Sequence, residues 1–166
     1  CDYMEKLSYN VSTLKKEGLI RFACADTFSG EETYLKLIET GAFDVVYINF
    51  NFADYQAQRK VFAAAKEKGM GIITREVYMK GQLFNMAKEA GIEDKGKLAD
   101  AALKWNLAQK DVDIVVYGTE KPHHLRSAAL ASEQEFTEED RKLIERIQQV
   151  ELYKEYEKSK TEEFLQ

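Results

Sequence analysis

Residues 41–81, GAFDVVYINFNFADYQAQRKVFAAAKEKGMGIITREVYMKG, decide the fold. Two runs within them, 43–50 and 70–74, are short, apolar and rich in Val and Ile, as buried strands are. Between the runs, residues 53–68 set Tyr55, Gln58, Phe62 and Ala65 on one side and close on Lys66, Lys68 and Gly69, which predicts a single amphipathic helix. Strand, helix and strand at that spacing make a parallel βαβ unit. Right-handed crossover sets the helix outside the sheet and aligns both strand C-termini on one face. Tyr47, Asn49 and Asn51 leave the first strand there, and Arg75 and Glu76 leave the second, so any chemistry is expected on that face.

On the N-terminal side, Leu7, Val11 and Leu14 share a helical face within residues 2–17, and Gly18 is a natural stop. Residues 19–25, LIRFACA, read as a short buried strand that would bury the Cys24 thiol. After a loop at 26–30, Glu31 and Glu32 charge the first turn of a helix carrying Tyr34, Leu37 and Ile38, which Gly41 ends.

On the C-terminal side, residues 76–95 are irregular with a short helix at 82–89. Leu98, Ala101, Ala102 and Trp105 then repeat at helical spacing over 97–109, with Trp105 in the core. DIVVY at 113–117 is the fourth strand, 118–121 its loop, and Pro122 opens a helix to about residue 131. Thr137 caps a tail helix whose apolar face is Leu143, Ile144, Ile147 and Val150, while the charged sequence beyond Tyr153 is expected to fray. The order is α/β: four parallel strands with outer helices, arranged as an open doubly wound sheet or as half of an eight-stranded barrel. Periodicity does not choose between these two. We divide the chain into a half-barrel region, 1–132, and a helical tail, 133–166.

At 166 residues the chain is long enough for one domain with a real core, and 45% hydrophobic with 32% charged residues is the balance of a globular protein. A net charge of −5 without a basic run argues against nucleic-acid and anionic-membrane partners. No apolar run is long enough to span a bilayer, and no signal-peptide pattern is present. The two cysteines form neither a disulfide framework nor a CxxC metal motif, so a reducing, cytoplasmic setting is expected. A sequence opening on Cys1 is expected to be a processed, excised or partial polypeptide. Adjacent His123 and His124 diverge on a helix and have no third histidine to join them, so no metal site is expected.

Four segments in order resemble the second half of an aldo-keto reductase: LKKEGLIRF at 14–22, TYLKLIETGAFDVVYINFN at 33–51, AAAKEKGMGIITREVYMKGQL at 63–83, and ADAALKWNLAQKDVDIVVYGTEKPHHL at 99–125. The resemblance covers roughly residues 14–147. It implies the C-terminal half of a (β/α)8 TIM-type barrel plus a C-terminal helix. It also implies NADPH-dependent reduction of carbonyls, a hydride transfer assisted by a proton-donating tyrosine. That family's catalytic aspartate, tyrosine, lysine and histidine lie in its first four strands, so this chain carries none of them.

The cofactor contacts that the resemblance maps onto this chain are mostly altered. Asp26 and Thr27 stand where serine with asparagine or threonine touches the nicotinamide amide, and Tyr47 replaces a glutamine. Arg75 stands where an aromatic residue or methionine lies near the nicotinamide, and Val77 replaces a proline. Gly118 and Thr119 fit the phosphate loop, His124 replaces the NADPH-selective arginine, and Ser127 and Ala128 replace an adenine-contacting Glu-Asn pair. Gly118–Lys121 before a helix start suits either an anion, favoured by Lys121 and opposed by Glu120, or a plain connection. Arg75 either binds a charged ligand or pairs with Glu76 or Asp26 as structural charge. Tyr47 either touches the cofactor or fills the barrel interior.

Two functions follow. The first is a segment of an NADP-dependent carbonyl oxidoreductase whose catalytic residues lie outside this chain. The second is a non-catalytic, reductase-like binding or scaffold module with a degenerate cofactor site. NADP binding is expected to be weak or absent. A half barrel also exposes two strand edges and inward side chains such as Ile48, Ile73 and Val115 or their neighbours. The expected partner is therefore an N-terminal half-barrel, as a missing segment or a second chain, or another copy of this chain.

Overall fold

The computed structural model describes residues 3–166; Cys1, and Asp2 as the first residue of the expected helix, lie outside them. Four strands, β1 (Cys24–Ala25), β2 (Val45–Asn49), β3 (Gly71–Arg75) and β4 (Ile114–Val115), form one parallel sheet in the order β1-β2-β3-β4. Each strand adds beside the one before it, in a single direction. Right-handed crossovers then place every connecting helix on the same side, whereas a doubly wound sheet reverses direction and is covered on both. Burial agrees. Val46, Ile48, Ile72 and Thr74 are buried beneath helices, while Val45, Tyr47, Asn49, Ile73 and Arg75 are only half-buried on the opposite face. The fold is a partial α/β barrel with its concave side open.

Of the side chains expected to face inward, Ile73 does so itself, and in place of Ile48 and Val115 their neighbours do. Ile48 and Val115 pack with the helices, and Val45, Tyr47, Ile73, Ile114 and Val116 occupy the open face, where Ile114 is 53% and Val116 41% exposed. The edge strands are shorter than the sequence suggests. Of residues 19–25 only Cys24 and Ala25 pair, leaving Leu19 and Phe22 exposed, and of 113–117 only Ile114 and Val115 pair. An apolar run becomes strand only where a neighbour offers hydrogen bonds, and each edge has a neighbour on one side alone. For the same reason the Cys24 thiol is exposed rather than buried. Two carboxylates fix the register: Asp44 accepts from the Ala23 backbone N–H at 2.7 Å, and Asp113 from that of Ile72 at 2.7 Å.

The helices are α1 (Tyr3–Lys16), α2 (Gly30–Glu39), α3 (Val61–Glu67), α4 (Gln82–Glu89), α5 (Lys95–Leu107), α6 (Pro122–Ser132), α7 (Glu138–Gln148) and α8 (Glu151–Phe164). The expected helix over 53–68 is instead a tight turn, a single-turn helix at Gln56–Gln58, and α3. The break arises where Asn51 and Asp54 bond each other's backbone, and Asn51 Oδ1 also takes the Ala53 N–H at 2.9 Å. That Asx-type turn competes with helical hydrogen bonding.

The tail is also two helices rather than one that frays. Thr137 and Asp140 form a reciprocal capping box at the start of α7. In α8, Tyr153 is buried with its hydroxyl on the Phe52 carbonyl at 2.9 Å, and Phe164 reaches Tyr34 with ring centroids 6.4 Å apart. Under the helices, Phe50 packs on Phe62 and Trp105 at 4.8 and 5.5 Å between centroids. Buried Asn106 ties this layer to the sheet, donating to the Phe50 carbonyl at 2.6 Å and meeting the Thr74 hydroxyl at 2.8 Å.

Candidate functional site

The strand C-termini carry a cluster built on Arg75, the last residue of β3. Parallel register sets Asn49 beside it, and Asn49 Oδ1 accepts from Arg75 Nε at 2.7 Å. The guanidinium then reaches across β2 to Asp26, just past β1, with Nη1 and Nη2 at 2.9 and 2.8 Å from its two carboxylate oxygens. The same guanidinium lies 4.6 Å from the Tyr47 ring centroid and 5.1 Å from that of Phe28. Planar, bidentate and stacked, it uses every mode of recognition in which arginine differs from lysine. Of the expected site residues, Asp26, Tyr47 and Arg75 thus meet, with the Asp26 pairing realised. Glu76 instead pairs with Lys80, at 3.2 Å.

Thr27 stands next to this cluster: its backbone N–H donates to the Tyr34 hydroxyl at 3.4 Å and its own hydroxyl accepts from Ser29. Thr27, Phe28, Asn49 and Tyr34 also line a cavity of about 40 Å3 closed from above by Lys160, Glu163 and Phe164 of α8. Asp54 lines it too and is only 8% exposed. Burial pushes the Asp54 carboxyl up to about 7, with Lys160 opposing and Glu76 and Glu163 adding to the rise. Burial likewise pushes the Tyr34 hydroxyl up to about 12.

These groups escape sequence reading. Asp54 falls inside what reads as a helix, and the α8 stripe Tyr153, Tyr156, Lys160, Phe164 is hidden in a charged tail. The stripe's spacing of three, four and four is the signal that was available.

A second opening lies beyond β3 and β4. A cavity of about 390 Å3 is lined by Tyr78, Phe84 and Tyr117 and by Gly118, Thr119, His124 and Ser127. Its size and its mix of aromatic walls with a few polar groups suit a small-molecule site. The Thr119 hydroxyl accepts from the Lys121 backbone at 3.1 Å and stands 3.5 Å from His124 Nδ1, which holds the loop against the start of α6. Gly118, Thr119 and His124 therefore come together, while the exposed Lys121 takes part through its backbone. Asp26, Tyr47 and Arg75 line neither cavity and form the strand-end cluster beside the smaller one. His123 and His124 stack edge-on at 4.3 Å, and no metal-binding group of His, Cys, Asp and Glu exists among the described residues.

The loop between the two openings is strained. Glu76, Met79 and Lys80 all have positive φ, at 64°, 55° and 53°. Such backbone is held only where the surroundings enforce it. Glu76 Oε2 is buried there without a hydrogen-bond partner. No helix among the described residues is long and apolar enough to cross a membrane.

Neither a protein-family profile nor a curated protein matches the chain by sequence. Solved structures do match its shape. The aldo-keto reductase AKR11C1 from Bacillus halodurans in its apo form superposes with a TM-score of 0.64 at 19% identity, covering 88% of this chain and 57% of that one. Its holo form gives 0.63 and 20%, covering 88% and 56%. The chain thus spans little more than half the length of the reductases it resembles. With four parallel strands, helices on one side and that superposition, its fold is a partial barrel of the aldo-keto reductase type.

Proposed function

We propose that this chain is a reductase-like half-barrel that acts as a binding module and does not itself carry out hydride transfer. The observation that carries this reading is the Arg75 cluster. Its guanidinium fills the strand-end space between Tyr47 and Phe28, and three of its N–H groups are already engaged by Asn49 and Asp26. An aldo-keto reductase uses this region for the nicotinamide, whose ring would have to displace a neutralised, stacked ion pair.

A second reading has its own support. The cavity beside Gly118 and Thr119 is open and aromatic-walled, as a segment of an NADP-dependent carbonyl oxidoreductase completed by an N-terminal half-barrel would need. In either reading the concave face and both sheet edges await a partner, in the first as a scaffold and in the second as a completed barrel. Titration of NADPH by fluorescence, with NADPH oxidation followed in the presence of aldehydes, tests the proposal. Dissociation constants above about 100 µM with no oxidation are expected. Sub-micromolar binding would replace the first reading with the second, and turnover by this chain would contradict both.

A further inference from the structure

The cavity beneath α8 has a feature that neither reading uses. Asp54 lines it, 8% exposed, and its carboxylate accepts no hydrogen bond among the described residues. A carboxyl largely withdrawn from water, with no hydrogen bond to hold its charge, favours the neutral form. Every titratable group facing it comes from three elements: Tyr156, Lys160 and Glu163 from α8, Tyr34 from α2, and Glu76 from the loop after β3. Lys160 is the one cation in this set, and its ammonium is already 2.5 Å from Glu163. Glu76 has one oxygen on Lys80 and the other buried and unpaired. Ionised, Asp54 would be a third carboxylate around one committed lysine. Neutral, it fits.

The tail helix is the part able to relieve that conflict. Its last turns are held by Gln56 Nε2 to Thr161 at 3.2 Å, by the Phe164 ring on Tyr34 and by the close approach of the Phe164 carbonyl to Gly30. Lifting them would admit water to Asp54 and separate it from Glu163. We propose that the C-terminal half of α8 is a proton-dependent lid over the ends of β1 and β2, latched while Asp54 is protonated and released as it ionises. The lid covers Phe28 and Asn49, two of the groups that hold Arg75, so its position sets access to the strand-end cluster.

The sign follows from linkage. The Asp54 carboxyl lies at about 7 in the closed form, above its ordinary value when released, so the closed form binds the extra proton. Closure is strongest in acid and is lost as pH rises towards 7.

Hydrogen exchange of residues 157–165 on the full chain, corrected for intrinsic rates, reads the lid directly and independently of any cofactor. Protection is expected to fall by about 50- to 100-fold between about pH 5 and about pH 8. Asp54→Asn, a permanent mimic of the protonated form, should keep the high protection at both ends of that range. Lys160→Gln removes the one cation facing Asp54, so its transition should move to higher pH. Protection in the wild type that does not change with pH, a fall in Asp54→Asn equal to the wild type's, or a Lys160→Gln transition that stays or moves to lower pH would each overturn the proposal.

Discussion

Replacing Asp26 by Ala and Arg75 by Met, singly and together, asks whether the strand-end cluster holds in solution as a coupled unit. The pair is bidentate at 2.8 and 2.9 Å. Its side chains are 18% exposed for Arg75 and 35% for Asp26, between a surface pair and a buried one. Exposed ion pairs contribute roughly 0.2–1 kcal/mol, and net hydrogen bonds to charged groups roughly 1.5–3 kcal/mol. Discounting for the water that reaches Asp26, the coupling should be about 1–2 kcal/mol. Arg75→Met also loses the Asn49 bond and two cation–π contacts, at roughly 0.5–1 kcal/mol per ring, so its own cost should be about 3–5 kcal/mol. Urea unfolding at one fixed protein concentration gives all four corners of the cycle. Single-mutant losses that add to the double-mutant loss within about 0.5 kcal/mol would refute the reasoning, because independent side chains do not form a cluster.

The chain should not persist as a lone monomer, since β1 and β4 leave unpaired edges and Ile114 and Val116 stand exposed on the concave face; sedimentation at micromolar concentration is expected to show a larger species, and a cooperatively melting monomer would count against it. Lys104 and Asp140 form a buried pair at 2.5 Å, so Lys104→Met should cost about 3–5 kcal/mol by stranding a carboxylate, measured by denaturant midpoint. Burial works against the charge on Asp140, but bonds from Lys104 and Thr137 outweigh it and hold its carboxyl below the ordinary value; the stability it contributes is present above that value and should fade as pH drops below about 4. Gly30 has φ +79° and an added Cβ would lie 2.7 Å from the Phe164 carbonyl, so Gly30→Ala should cost more than about 1 kcal/mol and loosen the last turn of α8, visible as faster exchange there.

The layout was legible wherever pattern is local. The helix at 82–89 and the Leu98-Ala102-Trp105 stripe stand where periodicity puts them, because helical spacing gathers their apolar residues on one face whatever element covers it. What could not be read depends on distant partners. Residues 19–23 carry the side chains of a strand but meet no second neighbour, and their backbone bonds run to Leu14 at one end and to Asp44 and Val45 at the other. The role of Arg75 turns on Asp26, 49 positions away, and Asp26 by itself reads as a loop residue. Asp54 is the sharpest case. Its burial is created by α8, about a hundred residues downstream, through contacts such as that of Tyr153 with Phe52.

The most direct test of the central claim, that the strand ends are closed to a nicotinamide by the Arg75 cluster, compares NADPH with its adenosine bisphosphate fragment by calorimetry on one preparation. If the cluster blocks the ring, the nicotinamide half adds nothing, and the two dissociation constants should agree within about threefold, under ~0.7 kcal/mol. NADPH binding tighter than the fragment by about a hundredfold, near 2.7 kcal/mol, would show that the ring finds a place there and would contradict the account.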